Sequence, residues 1–172
     1  MTDKLILDAT CGNRGIWFQK HEPHTVYCDK RTAHYEMDFG DKYPGHRTID
    51  VAPDIECDFT NLPFEDGTFN LVVIDPPHLL KQDGSWLKKQ YGCYETKAEA
   101  LESVAKGIHE CMRVLRTGGV LVFKWNELDI STREIIDACG YKPLFGHRSG
   151  KKANTHWLCF MRFDDEDTTN NV

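Results

Sequence analysis

Apolar residues along this chain come in short runs closed by polar or glycine-bearing turns. Leu5-Ile6-Leu7 is a short apolar strand that ends in the turn Cys11-Gly12-Asn13-Arg14-Gly15. Thr25 to Cys28 is a second strand and Asp54 to Cys57 a third. Phe69 to Ile74 is β-branched and wholly apolar at its end, the pattern of a buried strand, and Val120 to Phe123 is another. Helical periodicity governs Ala98 to Arg116, where Leu101, Val104, Ala105, Ile108, Met112 and Leu115 fall on one face. Gly118-Gly119 is expected to stop that helix. Ser131 caps a second helix through Ala138, with Glu134 completing a capping box. Tyr141 to Phe145 and Thr155 to Phe163 read as two final strands. Their short connection, Gly146 to Asn154, predicts an antiparallel pair.

Strands alternating with helices predict an α/β fold, a mostly parallel sheet with helices on both faces. Ligands then bind beyond the carboxyl ends of the strands, where the strand order reverses. The chemistry should therefore sit on the turns after Leu7, Cys28, Ile74 and Phe123. The length of 172 residues predicts one domain over residues 1–163, followed by an acidic disordered tail over 164–172. No apolar run approaches the ~20 residues of a membrane span, and the N-terminus lacks a signal-peptide pattern. Seven cysteines without any CxxC spacing favour neither a zinc knuckle nor a disulfide framework, and the expected location is cytoplasmic. His21, His24, His34 and His46 have no ligand spacing, so no metal is expected.

The strand-end residues carry specific chemistry. Asp8-Ala9-Thr10-Cys11-Gly12 brings a backbone turn close to a ligand, with glycine free to take positive φ. Asp29 ends the second strand, where an acid can accept from both hydroxyls of a ribose. Asp58-Phe59 follows the third strand, and its carboxylate can accept from an adenine amino group or cap a turn. Asp75-Pro76-Pro77-His78 follows the most hydrophobic strand. Two prolines remove two N–H donors and fix an extended shape, so carbonyls at Asp75 and Pro76 point outward beside a carboxylate. Stiff, unpaired acceptors of this kind suit the holding of an amino group.

In order and spacing, Asp8 to Gly15, Asp29, Asp58 to Phe69, Asp75 to His78 and Val114 to Leu121 resemble the motifs of class I S-adenosylmethionine-dependent methyltransferases. Asp75-Pro76-Pro77-His78 is similar to the Asp-Pro-Pro-aromatic motif of amino-methyltransferases, chiefly adenine-N6 and some guanine-N2 enzymes of DNA or RNA. The whole also resembles small methyltransferase-like proteins of bacteriophages and their hosts. The resemblance implies a Rossmann-like seven-stranded sheet with an antiparallel last strand, and S-adenosyl-L-methionine as cofactor. Asp8, Ala9, Thr10, Cys11 and Gly12 would face its methionine part, Asp29 its ribose, and Asp58 with Phe59 its adenine. Asp75 would touch both cofactor and acceptor, and Asp75, Pro76, Pro77 and His78 would be catalytic. Two positions depart from the pattern. Arg14 stands where a second glycine is usual, so its side chain must turn away from the cofactor or reach its carboxylate. His78 replaces Tyr, Phe or Trp, yet imidazole can still stack on a base and can titrate near neutrality.

The expected reaction is methyl transfer to an exocyclic amino group of a nucleobase, adenine N6 in DNA first, with DNA favoured over RNA as partner. Such a base must be extruded from a duplex or be single-stranded already. The net charge of −6 argues against a generally basic surface, although four of the acids lie in the tail at Asp164, Asp165, Glu166 and Asp167. Two stretches could supply a local basic rim: one with Lys88, Lys89, Tyr91 and Tyr94, the other with Arg148, Lys151 and Lys152. Lys124-Trp125-Asn126 should face the pocket, with Trp125 as wall or stacking platform and packing its favoured role. Trp17, Phe18, Phe39 and Tyr43 belong to the core or to the surface of a homodimer or partner subunit. Two other readings stay open: a methyltransferase for a small molecule or protein side chain, and a non-catalytic methyltransferase-like subunit that binds cofactor or nucleic acid.

Overall fold

The structure is a computed structural model that describes residues 4–38, 46–81, 88–89, 92–148 and 154–164. Seven strands form the main sheet: β1 (Ile6–Asp8), β2 (Thr25–Asp29), β5 (Ile55–Glu56), β6 (Phe69–Ile74), β7 (Leu115–Asn126), β8 (Phe145–Arg148) and β9 (Thr155–Met161). Their spatial order is β5-β2-β1-β6-β7-β9-β8. β9 runs antiparallel between β7 and β8, and the other neighbours are parallel. The order reverses between β1 and β6. The register sets Leu7 beside Val72 and Ile74 beside Phe123, so the expected strand ends stand side by side.

Two helices are described, α1 (Lys97–Val114) and α2 (Thr132–Cys139), and they pack on one another. Thr96 caps α1 by accepting from the Glu99 N–H. Ser131 and Glu134 form the expected capping box of α2, and Gly140, at φ 73°, ends it. The connections β1–β2 and β5–β6 contain no helix, and that between β2 and β5 holds no helix among its described residues. Burial along β7 alternates accordingly: Leu121, Phe123 and Trp125 are wholly buried, whereas Val120, Val122, Lys124 and Asn126 are half-buried.

Three elements depart from the sequence reading. A two-stranded antiparallel hairpin, β3 (Ala33–Asp38) and β4 (His46–Val51), occupies the polar stretch between β2 and β5. Its Tyr35 pairs with Ile49, and Ile49 and Val51 enter the core. Helix α1 ends at Val114 rather than Arg116, because Leu115 turns extended and pairs with Phe69. The Arg162 guanidinium takes the freed carbonyls of Arg113 and Leu115. The eighth strand is Phe145–Arg148, not Tyr141 to Phe145, so Gly146, His147 and Arg148 belong to the sheet and not to the loop. Gly146 fits there because any side chain would strike Leu158. At the far end, the Thr117 hydroxyl donates to Asp164 at 2.6 Å, which ties down the first residue of the expected tail. No helix among the described residues is long and apolar enough to cross a membrane.

Candidate functional site

The ends of β1, β2 and β6 and the turn after β5 surround a cavity of about 600 Å³. Asp8, Ala9, Thr10, Cys11, Gly12, Asp29, Asp58, Phe59 and Asp75 all line it, the complete set expected to face a cofactor. Backbone bonds hold the first turn in place: Ala9 N–H donates to the Val73 carbonyl and Cys11 N–H to that of Cys28. Gly12, at φ 49°, donates its N–H to Asp29 Oδ2 at 3.0 Å. Arg31 donates to Asp29 Oδ1 through both its N–H (3.1 Å) and its Nε (3.3 Å).

Asp8 is buried under Trp17, whose indole N–H donates to Oδ2 at 2.6 Å, and Thr10 N–H donates to Oδ1. Burial pushes the Asp8 carboxyl up to about 7 despite these bonds, with Asp75 and Asp29 adding repulsion. Burial likewise pushes the Cys11 thiol up to about 12, so it is protonated and unreactive at neutral pH. Arg14, at φ 55°, turns away from the cavity. Its guanidinium lies 3.8 Å over the Tyr27 ring and donates to the carbonyls of Lys20 and Ala52. Of the two directions open to this arginine, the structure adopts the outward one.

Asp58 and Phe59 are positioned from α1. Arg113 donates to the carbonyls of Leu62 and Phe64, and Glu110 accepts from the Leu62 N–H, so the turn after β5 is clamped to the helix. Phe59 packs against Gly107 so closely that a methyl there would overlap its ring. Asp58 Oδ1 accepts from the Thr60 N–H and hydroxyl, so the residue caps its own turn while lining the cavity. Tyr94, Glu99 and Ser103 add a wall that sequence reasoning did not assign. Tyr94 does not stand on an outer rim for stacking; it is buried here, its hydroxyl 3.4 Å from Ser103 Oγ.

Asp75 joins this cavity to a second of about 380 Å³. Its N–H donates to Thr10 Oγ1 at 2.7 Å, which ties the β1 turn to the end of β6. Its Oδ2 accepts from Lys124 Nζ at 2.5 Å. Asp75 and Lys124 line both cavities, and His78, Leu79, Asn126 and Thr155 complete much of the second. His78 lines the second cavity with its ring near both the Asp75 carboxylate and the Pro76 carbonyl. Burial is the largest influence on His78 and lowers its pKa, the Asp75 charge opposes this, and Lys124 reinforces it. The ring is therefore neutral at physiological pH.

The expected substrate contacts fare unevenly. Trp125 packs, as favoured, and is not a substrate contact: it is wholly buried, stacks on Phe123 and donates its indole N–H to the Ile130 carbonyl. It supports His78 edge-on, with ring centroids 6.4 Å apart, and presents no face to a ligand. Lys88 and Lys89 lie outside both cavities; the Lys89 carbonyl accepts from Arg31, and its ammonium is 5.8 Å from the Tyr35 ring centroid. Arg148 lies on β8. Tyr91, Lys151 and Lys152, like Phe39 and Tyr43, fall outside the described residues. Trp17 is half-buried and packs edge-on against Tyr27, whereas Phe18 is fully exposed. Among the described residues no cluster of three His, Cys, Asp or Glu side chains could hold a metal ion.

No protein-family model matches the sequence, and no curated protein does either. Solved structures do resemble the fold. A SAM-dependent methyltransferase from Methanosarcina mazei is similar over 95% of this chain and 94% of its own, with a TM-score of 0.54 and 12% identity. An rRNA methylase from Streptococcus thermophilus is similar over 94% and 89%, with a TM-score of 0.55 and 10% identity. A geranyl diphosphate methyltransferase, solved with its substrate and sinefungin, is similar over 94% and 72%, with a TM-score of 0.53 and 12% identity. The chain has the Rossmann-like fold of SAM-dependent methyltransferases, seven strands with the last in sequence antiparallel.

Proposed function

We propose that this protein transfers a methyl group from S-adenosyl-L-methionine to an exocyclic amino group of a nucleobase, adenine N6 in DNA being the first candidate. The observation that carries this reading is the placement of Asp75-Pro76-Pro77-His78 at the switch point of the sheet, with Asp75 lining both cavities. The cofactor's chemistry suits the larger cavity. Asp29, oriented by Gly12 and Arg31, is set to accept from ribose hydroxyls, and Phe59 offers an aromatic face beside Asp58. Asp8 faces the same space, and a cationic ligand would favour its ionised form. When bound, the cofactor supplies an electrophilic methyl group.

The chain's own residues then orient the acceptor. An exocyclic amino nitrogen is a poor nucleophile because its lone pair is delocalised into the ring. Asp75 and the Pro76 carbonyl accept its two N–H bonds, which favours a pyramidal nitrogen with its lone pair aimed at the larger cavity. The same acceptors stabilise positive charge as it develops on nitrogen. As the N–C bond forms, one amino proton must leave. His78, held neutral by burial beside Asp75, is placed to receive it.

The test is transfer of labelled methyl to DNA, RNA and lysate proteins, followed by identification of the modified nucleoside. Label on N6-methyladenine in DNA supports the reading. Label confined to protein or to a small molecule replaces it with one of the alternatives. Cofactor binding without label in any of these identifies a non-catalytic subunit.

A further inference from the structure

A carboxylate and a proline carbonyl are enough to hold an amino group, yet this site also buries most of an ammonium beside them. Asp75 and Lys124 stand one residue beyond the paired Ile74 and Phe123, at the ends of adjacent parallel strands. Their side chains meet at 2.5 Å on the wall common to both cavities. Among the described residues, the one hydrogen bond of the ammonium is to Asp75 Oδ2. Two of its three donors therefore remain for a ligand, as does Asp75 Oδ1. The Trp157 ring, its centroid 5.9 Å from Nζ, lies on the neighbouring strand where Lys124 is paired with it. The mouth of the acceptor cavity thus presents a hydrogen-bond acceptor and a cationic donor side by side.

We infer that Lys124 is a specificity-determining residue which, with Asp75, reads an amino group together with the unprotonated ring nitrogen next to it. This inference rests on the amino-acceptor reading above and narrows its substrate class. Adenine offers that combination as N6–H beside N1, and cytosine as N4–H beside N3. Guanine does not, because the ring atom beside its amino group on that edge is N1–H, a donor that would face the ammonium. Its acceptor N3, on the other side, is shielded by the attached sugar. A site built from Asp75 and Pro76 alone would accept either base; the lysine adds the repulsive element that rejects guanine.

Single-stranded oligonucleotides with one target base, namely adenine, 1-deazaadenine, guanine or cytosine, test this with the wild type and Lys124→Met. Methionine keeps the apolar stem and removes the donor. The wild type should lose about 10–100-fold in kcat/KM on 1-deazaadenine, whose amino group is intact, and should not methylate guanine. Lys124→Met should lose a similar factor on adenine and show no further loss on 1-deazaadenine. Equilibrium binding of the same oligonucleotides with S-adenosylhomocysteine present should show the same pattern without turnover. Thermal unfolding and S-adenosylhomocysteine affinity of the variant confirm that it is folded. Equal use of adenine and 1-deazaadenine by the wild type, or undiminished discrimination in Lys124→Met, overturns the role of Lys124 while leaving amino transfer intact. Wild-type protein that methylates none of these bases, cytosine included, overturns the amino-acceptor reading itself.

Discussion

The two halves of the cleft handle charge in opposite ways. In the larger cavity Asp8 and Asp29 are held by neutral backbone N–H groups, by an indole and by one arginine, and Asp8 is so buried that it titrates near neutrality. On the wall shared with the smaller one, Asp75 meets a lysine directly. The first arrangement leaves negative charge waiting for a cationic ligand. The second is already balanced and suits a neutral, polar one. On the function proposed above, a sulfonium donor and an uncharged base differ in just this respect, and the contrast in electrostatics would divide the cleft into a donor half and an acceptor half.

The largest effect should come from Asp75, which serves both halves. Asp75→Ala is expected to lower methyl transfer by about 10²–10³-fold or more while leaving cofactor affinity within a few-fold, measured by labelled transfer and calorimetry. Full activity in that variant would remove the acceptor assignment. Gly107→Ala should push the Phe59 ring into the donor half. It should cost about 1–3 kcal/mol of stability and weaken cofactor binding about tenfold. Unchanged affinity with lowered melting temperature would separate Phe59 from cofactor recognition.

The donor half should also respond to pH. Asp8 is raised above its unfolded value, so the folded apo chain binds a proton more readily than the unfolded one. Its contribution to stability is therefore lost as pH rises from about 4 through about 7. A cationic ligand reverses the preference. Cofactor affinity should increase with pH up to about 7, by at most about tenfold per unit, and then level off. Asp8→Asn should flatten that profile; a steep profile in the variant would assign the titration elsewhere. The smallest effect belongs to Arg14, which grips Tyr27 outside the cavity. Arg14→Gln should cost about 0.5–1 kcal/mol of stability and change cofactor affinity less than twofold in calorimetry.

Much of the donor half was legible because its acids follow apolar runs. Asp8, Asp29 and Asp75 each close a buried strand, and parallel pairing then brings them together. The position of Trp125 was legible too, but needed parity: it shares a face with the buried Leu121 and Phe123, so it could not face the same way as Lys124. Tyr94, Glu99 and Ser103 carry no such signal. They reach the cavity because Tyr94 bridges back to Leu80 and α1 then runs along the site, a long-range contact with no local pattern. The β3–β4 hairpin was hidden for a different reason. Its outward positions carry His34, Glu36 and Asp50, and its inward face mixes the buried Ile49 and Val51 with the small Ala33 and the half-buried Tyr35, a weak apolar signal.

The bond from the Asp75 N–H to Thr10 Oγ1 has a consequence for alignment. It spans two neighbouring parallel strands, whose separation of ~4.8 Å is a property of every sheet and not of any side chain. A displacement reaction needs the incoming atom, the transferred carbon and the departing atom on one line, with reacting atoms ~3–3.5 Å apart at the start. If donor contacts lie on the end of β1 and acceptor contacts on the end of β6, as the proposed function requires, hydrogen-bond spacing in the sheet would act as the gauge block for that line. Changes in the loops would then alter which molecule arrives, while the working distance stayed machined into the backbone.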